Sequence, residues 1–158
     1  MNRHLHRKSR SRVLALALLL TVVALVMSVN AAATGSAARA TVKTRSSSLG
    51  KILVDAQGRT LYLFEKDKGN RSACNGQCAT FWPPLITKGK PIAAAGAKAS
   101  LLGTTRRNNG SMQVTYAGHP LYRFAEDTKP GDTKGEGSKL FGASWYVVTP
   151  AGKKIDKD

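Results

Sequence analysis

The chain repeats part of itself at a constant offset of sixty residues. Residues 58–67 (GRTLYLFEKD) align with residues 118–127 (GHPLYRFAED), and five of these ten positions are identical. Further along, each copy reaches a tryptophan, Trp82 in the first and Trp145 in the second. A repeat constrains architecture strongly, because a small unit cannot bury its apolar face alone and must pack against its neighbour. We therefore expect two related units that share one core.

The repeated Leu-Tyr-x-Phe segment has the pattern of a β-strand. Residues two apart in a strand point to one face, so Tyr62 and Phe64 share a face. In the second copy Arg123 occupies the opposite face, which predicts that this face reaches solvent. Each motif aspartate stands where a strand ends, and an aspartate there most often accepts hydrogen bonds from turn amides. We expect a structural role for all the repeated motif residues, namely Tyr62, Phe64, Asp67, Trp82, Tyr122, Phe124, Asp127 and Trp145.

Turn signals favour a fold rich in β-structure. Residues 108–110 (Asn-Asn-Gly) separate two strand-like segments, which predicts a hairpin. Residues 74–82 leave room for a short helical turn, ended by two prolines. We predict an all-β or β-dominated fold of two related hairpin-based repeats, packed into one small domain. The domain would cover residues 49–158, with the repeats at about residues 50–86 and 110–150.

Residues 1–33 have the pattern of a secretory signal peptide. Five basic residues come first, an uncharged apolar stretch occupies residues 13–29, and Ala31 and Ala33 stand at the positions of an A-x-A cleavage site. An uncleaved membrane anchor is the second interpretation, because the apolar stretch is near the lower limit for spanning a bilayer. We expect cleavage near Ala33, no transmembrane segment after it, and a flexible linker at residues 34–48, which are small and polar.

The chain has two cysteines, Cys74 and Cys78. In an oxidising compartment so close a pair is most simply a disulfide, and its spacing fits neither covalent haem nor the two-residue redox motif. A metal site made of Cys74, Cys78 and His119 is the alternative. His119 precedes a proline at a turn and is most simply a surface histidine, with a ligand contact as the other interpretation, and we expect no metal and no cofactor. A serine triad would have to use His119 and lacks a G-x-S-x-G elbow, so we expect no enzymatic activity.

After the predicted signal peptide the chain is strongly basic, with 20 Lys and Arg against 9 Asp and Glu. Such a balance is typical of nucleic-acid binding, but export removes the protein from the genome, so we expect no nucleic acid as physiological partner. The charges are spread along the chain rather than gathered. This favours a solvated basic surface attracted to anionic envelope polymers or lipid headgroups; a role in solubility alone is the other interpretation.

Several motifs together resemble one family. Residues 61–67 (LYLFEKD), the Cys-x-x-x-Cys pair, residues 81–85 (FWPPL), residues 118–122 (GHPLY) and residues 145–148 (WYVV) are similar to those of the bacterial secreted-repeat lipoproteins. These are defined by a Tyr-x-(Phe/Trp/Tyr)-x-x-Asp motif, and the resemblance covers nearly all of residues 50–150. It implies an exported bacterial envelope protein with two repeats. It implies no activity, because the family is described as being of unknown function.

The resemblance has one departure, since no lipobox cysteine precedes Cys74. We therefore expect a protein that is secreted, periplasmic or at the cell surface, without lipidation. Our hypothesis is a non-enzymatic binding or structural module with a basic surface. The alternative is a periplasmic or extracellular redox or metal-handling accessory protein that uses Cys74, Cys78 and His119. The sequence gives neither a ligand nor an oligomeric state.

Overall fold

Each repeat begins with an antiparallel hairpin. The computed structural model describes residues 38–156, so the predicted signal peptide lies outside the described residues. In the first repeat β1 (Thr41–Ser47) pairs with β2 (Gly50–Asp55), and in the second β5 (Leu102–Arg106) pairs with β6 (Met112–Tyr116). The turn between β5 and β6 contains Gly110 at a φ of 83°, which glycine adopts without strain. The predicted second hairpin is confirmed.

The prediction of a flexible linker over residues 34–48 is wrong for Thr41–Ser47, which form β1. This strand pairs with β2 on one side and, in parallel, with β4 (Ile92–Ala93) on the other. Val42 is fully buried, whereas the other six residues of the strand are not. Hydrogen bonds to the neighbouring strands therefore stabilise β1. Such a strand needs few apolar residues, so its sequence shows little hydrophobic pattern. The parallel pairing also shows that a short strand, β4, lies within residues 88–99, which the sequence predicts to be a connecting loop.

The two Tyr-x-Phe strands pair with the opposite repeat. In the first repeat β3 (Tyr62–Phe64) lies antiparallel to β8 (Trp145–Val147) of the second repeat. In the second repeat, residues 121–123 follow β7 (His119–Pro120) and pair with residues 83–85 of the first. There the Arg123 amide donates to the Pro83 carbonyl and the Leu85 amide to the Leu121 carbonyl, both at 2.9 Å. The repeats are thus interleaved rather than side by side.

An approximate twofold axis relates the two repeats. The Tyr62 amide donates to the Tyr122 carbonyl at 2.9 Å, and the Tyr122 amide donates to the Tyr62 carbonyl at 3.0 Å. Matching bonds recur farther out, from the Ala125 amide to the Phe81 carbonyl at 2.9 Å and from the Glu65 amide to the Ser144 carbonyl at 3.0 Å. This symmetry is the structural counterpart of the sixty-residue offset.

The interleaved strands separate two buried clusters. The aromatic residues of both motifs lie in one cluster with the two tryptophans, and the leucines of both motifs lie in the other. This confirms the predicted two-faced strands. A five-residue helix, α1 (Gln77–Phe81), is present where a helical turn was expected. The fold is β-dominated, with small sheets and two repeats, as predicted.

The expectation that the face carrying Arg123 is open to solvent is wrong. Arg123 is only half-exposed, and its Nε donates to Asp55 Oδ2 at 2.6 Å. Asp55 is 1% exposed and also accepts bonds from the Gln57 and Arg59 amides at 2.9 Å. An ion pair to a buried carboxylate therefore holds this guanidinium against the protein, which strand periodicity alone cannot indicate.

Because each motif strand is completed by the other repeat, we predict that neither repeat folds alone. Cutting the exposed loop between Gly89 and Lys90 and separating the two fragments should abolish near-ultraviolet circular dichroism, since each tryptophan stacks on aromatic rings of the other fragment. Mixing the fragments should restore the signal. A dispersed amide NMR spectrum from either isolated fragment would contradict this expectation.

Candidate functional site

The centre of the molecule is a stack of four aromatic rings that alternate between the repeats. Trp82 lies parallel to Trp145, with centroids 3.9 Å apart and an interplanar angle of 4°. Phe64 stacks on the far side of Trp145 at 3.9 Å, and Phe124 stacks on Trp82 at 4.4 Å. Aromatic pairs contribute about 0.5–1.5 kcal/mol each beyond the area that they bury. The stack therefore joins the repeats at three successive contacts.

The motif tyrosines bond to the aspartates of the opposite repeat. The Tyr62 hydroxyl donates to Asp127 Oδ2 at 2.5 Å, and the Tyr122 hydroxyl donates to Asp67 Oδ2 at 2.8 Å. Each carboxylate uses its other oxygen to accept a loop amide, from Lys134 for Asp127 at 2.9 Å and from Ala73 for Asp67 at 2.7 Å. The aspartates accept hydrogen bonds from loop amides, as expected from sequence. The sequence could not indicate that each also accepts a bond from the tyrosine of the other repeat.

Burial opposes the ionisation of these groups. It raises the pKa of Asp67 from its ordinary value of 3.8 to about 6, although the bonds from Ala73 and Tyr122 act in the opposite direction. Burial also raises the pKa of Asp127 and of both tyrosines, and each neighbouring carboxylate raises the tyrosine pKa further. Tyr62 and Tyr122 are fully buried and Asp127 is 4% exposed, so the motif forms part of the core.

A buried arginine that sequence analysis missed connects the motif to the disulfide loop. Arg107 is 7% exposed, and its Nη1 donates to Gln113 Oε1 at 2.6 Å and to Ser72 Oγ at 2.8 Å. Its Nη2 donates to the Cys74 carbonyl at 2.6 Å, and Ser72 Oγ also lies within hydrogen-bond distance of the Tyr122 hydroxyl, at 2.8 Å. In the sequence Arg107 stands beside another arginine and resembles a surface pair, so no local signal identifies it.

Cys74 and Cys78 form the predicted disulfide, and both are buried. His119 lies half-buried in β7, where it pairs in register with Tyr116. Within residues 38–156, no three His, Cys, Asp or Glu side chains are grouped so that they could hold a metal ion. The alternative of a metal site formed by Cys74, Cys78 and His119 is therefore wrong. In the same residues, no helix has the length and apolar character needed to cross a bilayer.

The disulfide loop borders a hollow of about 290 Å³ that opens to solvent. Its lining consists of Lys66, Lys68, Arg71, Ser72 and Ala73. The three cations are exposed, and none of them takes part in the carboxylate ion pairs formed among residues 38–156. The hollow is thus a cationic surface feature, whereas the motif carboxyls are hydrogen-bonded inside the protein.

We predict that removing either motif hydroxyl destabilises the protein. Tyr62→Phe and Tyr122→Phe should each lower the free energy of unfolding by about 1–3 kcal/mol, because a buried carboxyl loses its donor. Tyr146→Phe is the matched control, since Tyr146 is half-exposed and outside the motif. Urea unfolding measures all three. Equal losses for the three variants would contradict a special role of the motif hydroxyls.

We also predict that the free energy of unfolding depends on pH through the titration of Asp67. Its folded pKa of about 6 exceeds the ordinary value of 3.8, so its contribution to stability is fully present below about pH 4 and is lost as pH rises through about 6. The unfolding free energy of the wild type minus that of Asp67→Asn should therefore fall across this window. Asp127 is present in both proteins, so the difference isolates Asp67. Parallel pH profiles would contradict the assignment.

A family model described as a secreted repeat of unknown function matches residues 43–86 and 103–149. No curated protein and no solved structure matches the chain significantly. The first matched segment begins inside β1, in agreement with the strand found there. The two matched segments contain both motif strands and both tryptophans, and together they cover more than half of the chain. The chain belongs to this family of secreted repeats of unknown function.

Proposed function

We propose that this protein is a non-enzymatic module of the bacterial cell envelope or its surroundings that binds anionic polymers through its basic surface. The observation that carries the proposal is the distribution of the cations. Among the described Lys and Arg residues, Arg107 is buried and Lys43, Arg59 and Arg123 are half-buried, whereas the others are exposed. Exposed charges of one sign attract polyanions over distances of about a Debye length.

The contacts of the motif residues also support a role without catalysis. The motif tyrosines bond to the motif aspartates, and the tryptophans lie inside the aromatic stack. These side chains fill the core and hold the repeats together, so they leave no open cleft between them in which a substrate would meet them. The features left for recognition are on the surface, where loops carry most binding functions.

Export is the second part of the proposal. The family is described as secreted, and we propose that the signal peptide is cleaved near Ala33 to release an unlipidated protein. The disulfide supports this location, because such bonds persist in oxidising compartments outside the cytoplasm. Anionic polymers of the envelope would then be partners of opposite charge within reach. Anionic lipid headgroups are a second source of negative charge.

The proposal predicts steeply salt-dependent binding. Protein purified from the exported fraction, with its cleavage site established by intact mass, should bind fluorescent polyphosphate at low ionic strength. The affinity should fall sharply when salt rises, because the Debye length shrinks from about 30 Å at 0.01 M to about 8 Å at 0.15 M. Fluorescence anisotropy measures this, with neutral dextran as the control. Absence of binding at low salt, or binding that salt leaves unchanged, would refute the proposal.

A further inference from the structure

The cations around the hollow are held on a preorganised loop. Lys68 and Arg71 exchange backbone hydrogen bonds at 3.2 and 3.1 Å, and Gly69 between them has a φ of 57°. The loop that follows is fixed at Ser72 by Arg107 and at Cys74 by the disulfide. A loop that is ordered before binding loses less entropy when a ligand arrives. The backbone that carries Lys68 and Arg71 is therefore fixed before a ligand arrives.

An aromatic rim, formed by Phe81 and Phe141, is linked to this cationic hollow through Lys66. Lys66, which lines the hollow, donates from Nζ to the Phe141 carbonyl at 3.2 Å. Phe141 has a φ of 67°, a conformation that bulky residues rarely adopt and that a rigid surrounding must hold in place. Its ring contacts that of Phe81, with centroids 5.9 Å apart. Phe81 is 39% exposed and the adjoining Leu140 is 48% exposed, so apolar surface lies in water beside the charges.

We propose that the hollow and the aromatic rim linked to it together bind acidic sugar residues of an anionic polysaccharide. The inference rests on the proposed function and names its site. Lys68 and Arg71 would pair with the acidic group, since ammonium and guanidinium groups form charge-assisted hydrogen bonds with such oxygens. Phe81 would stack on the apolar face of the sugar ring. The volume of about 290 Å³ is at the lower end for small-molecule sites, and a concave site of this size suits a discrete ring better than a flat membrane.

The test compares matched pairs of variants in the full mature protein. Lys68→Ala/Arg71→Ala removes two cations of the hollow, and Lys88→Ala/Lys90→Ala removes two exposed cations elsewhere with the same loss of charge. Phe81→Ala removes the rim, and Ile92→Ala removes an apolar side chain of similar exposure, 38% against 39%. The probes are polygalacturonate, which carries acidic sugars, and polyphosphate, which carries charge without sugars. Thermal melting establishes that each variant is folded.

We expect Lys68→Ala/Arg71→Ala to weaken polygalacturonate binding roughly three- to tenfold, and the control pair to weaken it less than about twofold. Phe81→Ala should weaken binding to polygalacturonate but not to polyphosphate, and Ile92→Ala should weaken neither. Equal losses in the two double variants would overturn the site while leaving a general polyanion function standing. Equal affinities of Phe81→Ala and Ile92→Ala for polygalacturonate would overturn the proposed contact between Phe81 and the sugar.

Two further outcomes separate this inference from the broader proposal. If the wild type binds vesicles of anionic lipid and neither polymer, and the hollow variants lose that binding, the surface is a membrane site and the polysaccharide inference is wrong. If the wild type binds no polyanion at low salt, the proposed function itself fails and the inference fails with it.

Discussion

The reciprocal backbone pair between Tyr62 and Tyr122 is the contact on which the rest of the structure depends. It fixes the two motif strands antiparallel to each other at an approximate twofold axis. Each hydroxyl then reaches the aspartate of the other repeat, and the two tryptophans meet ring to ring. A change at this axis would therefore disturb both repeats together, because none of these contacts is made within a single repeat.

The symmetry of the core does not extend to the loops. The first repeat has the disulfide, helix α1 and the cationic hollow, whereas the second has the strained turn at Phe141. The tryptophans differ accordingly. Trp145 Nε1 donates to the Leu140 carbonyl at 2.9 Å, whereas the buried Trp82 Nε1 finds no acceptor in the part of the chain that the structure describes. Duplicated cores with unlike loops are expected when the core supplies stability and the loops supply recognition.

The buried polar groups and the surface cations have separate roles. Inside, Arg107 donates to neutral acceptors and the motif aspartates have tyrosine and amide donors, so these buried groups, unlike Trp82 Nε1, are hydrogen-bonded. Outside, the positive charge is carried on exposed side chains. The basic surface is the feature on which the proposed binding role in this secreted family of unknown function depends.

The sequence by itself determined the elements that local rules control. The duplication indicated two related units, period-two alternation indicated the two faces of the motif strands, and the close cysteines indicated the disulfide. Each of these follows from residues near one another in the chain. The linker prediction failed at Thr41–Ser47 because a strand stabilised by its neighbours needs few apolar residues.

Only the tertiary structure decided that each motif strand, and each motif tyrosine, finds its partner in the other repeat. A tyrosine and an aspartate of one motif could as well have bonded within that motif, and periodicity is identical in both arrangements. The same holds for Arg123, which bonds to Asp55, 68 residues away, and for the bond from Arg107 to the Cys74 carbonyl, 33 residues away. Such contacts depend on how strands cross in space, and spacing along the chain carries no information about that crossing.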